Sequence, residues 1–156
     1  FNTNIRVVKI TSADEMYEKC ITELIKSDYV IMAAAVADYK PMIISKTKIK
    51  KNRKKTFNLE LVKNIDIISE LCKLKKSNQK MIGFALETEN EIVNAKTKLK
   101  KKKLDAIVLN SMSNENTCFN SEKNKIHFIT KSKTKKFKLK YKNEVAKDIL
   151  HEIYKI

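Results

Sequence analysis

The chain has 156 residues, 42% of them apolar, the size and composition of a folded domain with a real hydrophobic core. It carries 34 basic against 18 acidic residues, a formal net charge of +16, and a single glycine and a single proline. No apolar run approaches the roughly 18–20 residues that span a bilayer, and Cys20, Cys72 and Cys118 are too few and too scattered for a disulfide framework or a zinc site.

The charge admits two readings. One is a polyanionic partner, either nucleic acid or a nucleotide. The other is a codon bias that enriches Lys, Asn and Ile and depletes Gly and Pro. Unpaired cysteines and the lack of a basic-then-apolar leader pattern lead to the expectation of a cytoplasmic protein without membrane association.

Residues 5–10 (IRVVKI) are a β-branched run that predicts a short strand. Ser12 and Glu15 form an S-x-x-E capping box, opening a helix with Met16, Cys20, Ile21 and Leu24 on one face. Residues 28–36 (DYVIMAAAV) are continuously apolar, the pattern of a strand covered on both faces. A lysine-rich loop runs through Asn52. Residues 57–61 alternate as a strand, and Asn64 or Asp66 caps a helix that reaches about Lys73.

Residues 81–86 predict a second buried strand, and residues 89–103 a helix with Ile92, Ala95 and Leu99 at helical spacing. Residues 105–110 (DAIVLN) predict a third buried strand. Residues 126–130 and 136–140 read as an antiparallel hairpin, and residues 143–154 as a closing helix. Strand–helix alternation predicts one three-layer, Rossmann-like α/β domain over residues 1–156, its sheet mostly parallel with an antiparallel edge hairpin. Ligands of such sheets bind beyond the strands' carboxyl ends. Those ends are residues 34–38, 84–88 and 110–112.

Several residue groups there suit nucleotide chemistry. The small side chains of Ala33, Ala34 and Ala35 let a ring or sugar approach the backbone, and Asp38 can bind a ribose hydroxyl, a base amine or a metal; a tightly packed strand with a turn-initiating Asp is the plainer alternative. Lys48, in the run KIKK, sits on a loop long enough to close over phosphates, or is a solvated lysine. Around Asn64–Asp66 a strand gives way to a helix amino terminus, whose free N–H groups favour anions or base carbonyls, or are simply capped. Phe84 is a stacking or a core residue. Lys98 and Lys102 lie four apart on one helix face and repel unless an anion sits between them. One glycine rules out a glycine-rich phosphate cradle within these residues. His127 and His151 lack any metal-ligand spacing.

The motifs gain meaning from their order. AAAVADY with a following Lys-Pro, then KIKK, LELVKN with a following Asp-Ile, GFALET, a lysine-bearing helix, KKKLDAIVLN and FNSEKN together resemble the carboxy-terminal part of the bacterial phosphopantothenoylcysteine synthetases, from about residue 8 to the end. The resemblance implies a ligase of coenzyme A biosynthesis. It would activate 4′-phosphopantothenate with CTP as an acyl-cytidylate, then join it to cysteine, with Mg²⁺ bridging the phosphates. It further implies that Met32, Ala33, Ala34 and Asp38 hold the nucleotide and that Lys48 is the flap lysine of turnover. Ile65, Asp66, Ile67 and Ile68 would meet the cytosine, Phe84 would pack against the nucleotide, and Lys98 and Lys102 would grip the triphosphate.

The family context also implies a homodimer, often fused behind a flavin-dependent decarboxylase, with no nucleic acid or membrane partner. Ile65 stands where the family has proline in its K-N-P-D motif, and Ser111 where an acidic residue is common. The family's glycine-rich G-P-T segment and its asparagine-bearing N-R-S-S-G segment are expected ahead of Phe1, in a longer product or on another chain. An inactive paralogue or fragment and a basic nucleic-acid-binding module remain the alternatives at this stage.

Overall fold

A computed structural model describes residues 4–50, 56–111 and 121–156. Lys51, Asn52, Met112, Cys118, Phe119, Asn120 and the Ser111 side chain therefore lie outside the described residues.

The framework is a five-stranded sheet in the order β1-β4-β5-β7-β8. Its strands are β1 (Tyr29–Met32), β4 (Lys80–Glu87), β5 (Ala106–Ser111), β7 (Ile126–Thr130) and β8 (Thr134–Lys136). β1, β4 and β5 are parallel; β7 and β8 run antiparallel. Helices α1 (Ala13–Leu24), α2 (Ile67–Leu74), α3 (Glu91–Lys101) and α4 (Lys142–Ile153) cover it. The expected mixed Rossmann-like architecture is therefore the observed one. Two small ribbons accompany it: β2 (Tyr39–Pro41) with β3 (Leu61–Lys63), and β6 (Lys123–Asn124) with β9 (Lys140–Tyr141).

Side-chain alternation along β4 splits the core in two. Met81 and Ala85 face one way, into a cluster with Leu24 of α1, Ile68 and Leu71 of α2, and Ala95 and Leu99 of α3. Ile82 faces the other way, where α4 supplies Val145, Ile149 and Ile153. Each fully buried aliphatic side chain of this kind contributes about 1.5–3 kcal/mol.

Local signals set the helix ends. Ser12 accepts from the Glu15 amide at 3.2 Å, but the Glu15 carboxylate turns back to the Thr11 amide and hydroxyl at 2.7 and 2.8 Å. Half of the expected capping box thus shifts by one residue. Helix α3 ends in a Schellman motif: the Leu104 amide donates to Leu99 O, and the Lys103 amide to Lys100 O. Lys103 holds the left-handed position (φ 56°) that glycine usually fills.

Four expectations need correction. Residues 5–10 form no strand; Ile5, Val7, Val8 and Ile10 are exposed, because β propensity makes no ladder without a neighbouring strand. Strand β1 is shorter than the apolar run and is not covered on both faces. It is an edge strand, and Ile31 is 42% exposed on the face shared with α4, where only the end of that helix reaches β1, through Tyr154 packed edge-on against Tyr29. The strand expected at 57–61 instead lies at Leu61–Lys63, where β2 gives it an antiparallel partner. Finally, the hairpin partner of β7 ends at Lys136, while Lys140 joins the β6–β9 ribbon.

Candidate functional site

Beyond the carboxyl end of β1, the chain does not continue as strand. It crosses to β2, and β3 then returns it to the amino terminus of α2. Asn64 fixes this crossing. Its backbone amide donates to Asp38 O at 2.7 Å, and its side-chain amide to Ala37 O at 2.9 Å. The Asn64 Oδ1 atom is buried with no hydrogen-bond partner. Asn64 had suggested only a helix cap. The cap is Asp66, whose carboxylate accepts from the Ser69 amide, and Asn64 is the staple that brings residues 37–38 against α2.

The result is a cleft of about 520 Å³ between the β1–β4 end, the α2 amino terminus and the α3 carboxyl end. Met32, Ala34, Asp38, Ile65, Asp66, Ile67, Ile68, Phe84, Lys98 and Lys102 line it, so ten residues singled out from the sequence meet at one place. Ala33 does not line it, because alternation turns it away from the face that Met32 occupies. Nor does Lys48, which lies in the exposed stretch 42–50 that leaves β2.

Phe84 belongs to the cleft in a limited sense. Its neighbour Gly83 faces α2, so the Phe84 ring points to the opposite side and packs on the α4-side core. At Gly83 the sheet has no room for a side chain: a Cβ there would lie 2.8 Å from Leu104 Cδ1 and 3.2 Å from Ile68 Cδ1. The only glycine of the sequence thus serves close packing at the cleft wall.

Lys63, Ser69, Lys101, Leu104 and Ile107 also line the cleft and were not singled out from the sequence. Lys101 had a usable signal, since positions 98, 101 and 102 share one helical face. Lys63 had none without the β2–β3 pairing.

The charges are arranged in pairs. Lys102 Nζ lies 2.8 Å from Asp66 Oδ2 and 3.0 Å from Oδ1. Lys98 Nζ lies 2.6 Å from Glu87 Oε1, at the end of β4. Partial burial alone would raise the Asp66 pKa, but hydrogen bonds from Lys102 and Ser69 and the Lys102 charge hold it below the ordinary value. Burial pushes the nearby Cys72 thiol up to about 11, so it stays protonated and unreactive at neutral pH. Chemically, the cleft offers the carboxylates of Asp38 and Asp66, a helix amino terminus and four lysines. Such a combination suits a flat polar ring at one end and an anion at the other. Among the described residues no group of three His, Cys, Asp or Glu side chains could hold a metal by itself.

The sequence matches the DNA/pantothenate metabolism flavoprotein C-terminal domain family over residues 1–156. It is 43% identical over 151 residues to a coenzyme A biosynthesis bifunctional protein CoaBC of Borreliella burgdorferi, covering 96% of this chain and 38% of that one. It is 46% identical over 155 residues to a cysteine/cysteine sulfinic acid decarboxylase of an unknown prokaryote, covering 96% and 42% respectively. Among solved structures, the C-terminal domain of a CoaBC protein superposes with a TM-score of 0.77 at 31% identity, over 97% of this chain and 65% of that domain. The chain thus spans about two fifths of the length of these curated relatives.

Proposed function

Since the chain belongs to the DNA/pantothenate metabolism flavoprotein C-terminal domain family, we propose that it carries the nucleotide-binding part of a phosphopantothenate–cysteine ligase of coenzyme A synthesis. CTP would activate the 4′-phosphopantothenate carboxylate as an acyl-cytidylate, releasing pyrophosphate. The cysteine amine would then attack the acyl carbon and release CMP. The observation that supports this most is the convergence of Met32, Ala34, Asp38, the α2 amino terminus, Lys98 and Lys102 on one cleft.

In this reading, the base lies against residues 65–68, and the Met32–Ala34 backbone and Asp38 hold the sugar side. The lysines meet the phosphates, where they stabilise the leaving pyrophosphate. Lys48 reaches the nucleotide when the exposed stretch 42–50 closes over it. Mg²⁺ fits as an ion held chiefly by phosphate oxygens, because the described residues offer carboxylates singly rather than as a cage. It would supply further charge neutralisation.

The protein acts in the cytoplasm as a homodimer. The β2–β3 arm supports the second point, with Tyr39, Ile43, Ile44, Leu59 and Leu61 all exposed. Among the described residues no helix is long and apolar enough to cross a membrane. The asparagine of the second half-reaction would come from a longer product or from another chain.

The test is calorimetric titration of the chain with CTP, UTP and ATP. It is followed by assay of the longer protein for CMP and pyrophosphate formation that requires phosphopantothenate. Lys48→Gln is expected to bind CTP and lose turnover. If neither form bound CTP, the reading would fail.

A further inference from the structure

Strand β1 is hydrogen-bonded to β4 alone, so its outer edge presents unpaired backbone N–H and C=O groups. No lysine or proline guards that edge within Tyr29–Met32, and the strand carries the apolar run of a buried one. Residues 5–10 lie in a matching state. Arg6 pairs with Glu23 in the last turn of α1, while Thr11 and Ser12 open that helix. Residues 5–10 therefore run back along α1, and, because the short link after α1 reverses the chain, parallel to β1. Among the described residues they join no ladder, and their β-branched side chains are exposed.

Topology relates the two segments. Helices α2 and α3 connect β1 to β4 and β4 to β5 on one face of the sheet, and α1 packs on that same face through Leu24. Parallel strand–helix–strand connections share one hand. For the connection through α1 to keep it, residues 5–10 must lie outward of β1, on the side away from β4. A strand entering between them and leading outward must place its helix on the opposite face, the one α4 covers. Ile31, Leu150 and Tyr154 are exposed there, and Tyr154 meets Tyr29 edge-on at 5.7 Å, so an apolar strip runs from β1 onto α4.

We propose that β1 and residues 5–10 form a docking edge for a parallel strand followed by an amphipathic helix. The occupant is the part of a CoaBC C-terminal domain without a counterpart in this chain. The chain covers 65% of the solved domain, and a strand–helix–strand unit needs only about 30 residues. The inserted strand pairs with β1, its helix covers Ile31, Leu150 and Tyr154, and the return strand gives residues 5–10 a ladder. Running parallel, the inserted strand ends beside Met32, at the outer side of the cleft.

The test compares amide hydrogen exchange in this chain alone and in a fusion carrying the unmatched part of the solved CoaBC domain ahead of Phe1. Residues 5–10 and 29–32 should exchange about tenfold or more slowly in the fusion. Val8→Pro removes a ladder donor, and Ile31→Lys puts a charge under the docked helix. Each should lower the melting temperature of the fusion and barely move that of the chain alone. The same part added as a separate polypeptide should bind the chain and protect the same amides. Unchanged exchange at both segments in both formats, or an equal cost of the substitutions with and without the added part, overturns the proposal. So does protection of residues 29–32 in the chain alone that rises with its own concentration, which gives the edge to a second copy.

Discussion

The side-chain amide of Asn64 donates to the carbonyl oxygen of Ala37 over 2.9 Å, joining the entry to α2 to the chain beyond β1 across 27 residues. With the Asn64 backbone bond to Asp38 O, it sets the width of the cleft mouth. Asn64→Ala should lower stability by about 0.5–1.5 kcal/mol. Asn64→Asp should cost more, since it places a carboxylate against a carbonyl oxygen. Urea denaturation measures both; equal midpoints for all three proteins would show that Asn64 does not hold the crossing.

Gly83→Ala addresses the cleft wall. The added methyl would meet Leu104 and Ile68, both packed in the core beside the cleft. Overpacking of this kind costs about 1–3 kcal/mol. Leu104→Val, combined with it, should recover part of the loss by vacating the contacted methyl. A thermal melt of the double variant no better than that of Gly83→Ala would argue against this contact.

On the far side of the sheet, Glu152 is 3% exposed and is reached by Lys135 at 2.7 Å, Lys155 at 2.9 Å and Lys133 at 3.5 Å. Hydrogen bonds from Lys135 and Lys155 lower its pKa from 4.5 to about 2, against the effect of burial. A carboxyl depressed in the folded state stabilises the fold fully above its unfolded pKa. That stability is lost as pH falls from about 4.5 to about 2. Glu152→Gln should cost about 1–3 kcal/mol at neutral pH and should flatten the acid side of the stability profile. An unchanged acid slope would contradict the assignment.

Lys103 occupies a left-handed backbone position at the end of α3 (φ 56°). A side chain there costs about 1–2 kcal/mol relative to a residue without Cβ, so Lys103→Gly should raise the melting temperature. Asn90, also left-handed (φ 46°), should gain less from the same change, because asparagine tolerates the conformation. The two melting curves compared side by side decide the point.

By itself, the sequence determined the helices, the buried strands β4 and β5 and the set of residues that could serve a nucleotide. Helical spacing and capping are local, so Ser12, Asp66, Ala95 and Leu99 could be placed by reading along the chain. Pairing is not local. The sequence alone could not show that β2 and β3 form an arm, that residues 5–10 stay out of the sheet, or that β1 lies at an edge despite its apolar run. Tertiary structure also decided the partners of the charges. Lys98 and Lys102 looked like two free cations one turn apart; only the approach of β4 and α2 gives each its own carboxylate, Glu87 and Asp66. It likewise packed Phe84 against the α4-side core and set Gly83 against Leu104 and Ile68, because strand alternation fixes a side chain's face only once the sheet has layers on both sides.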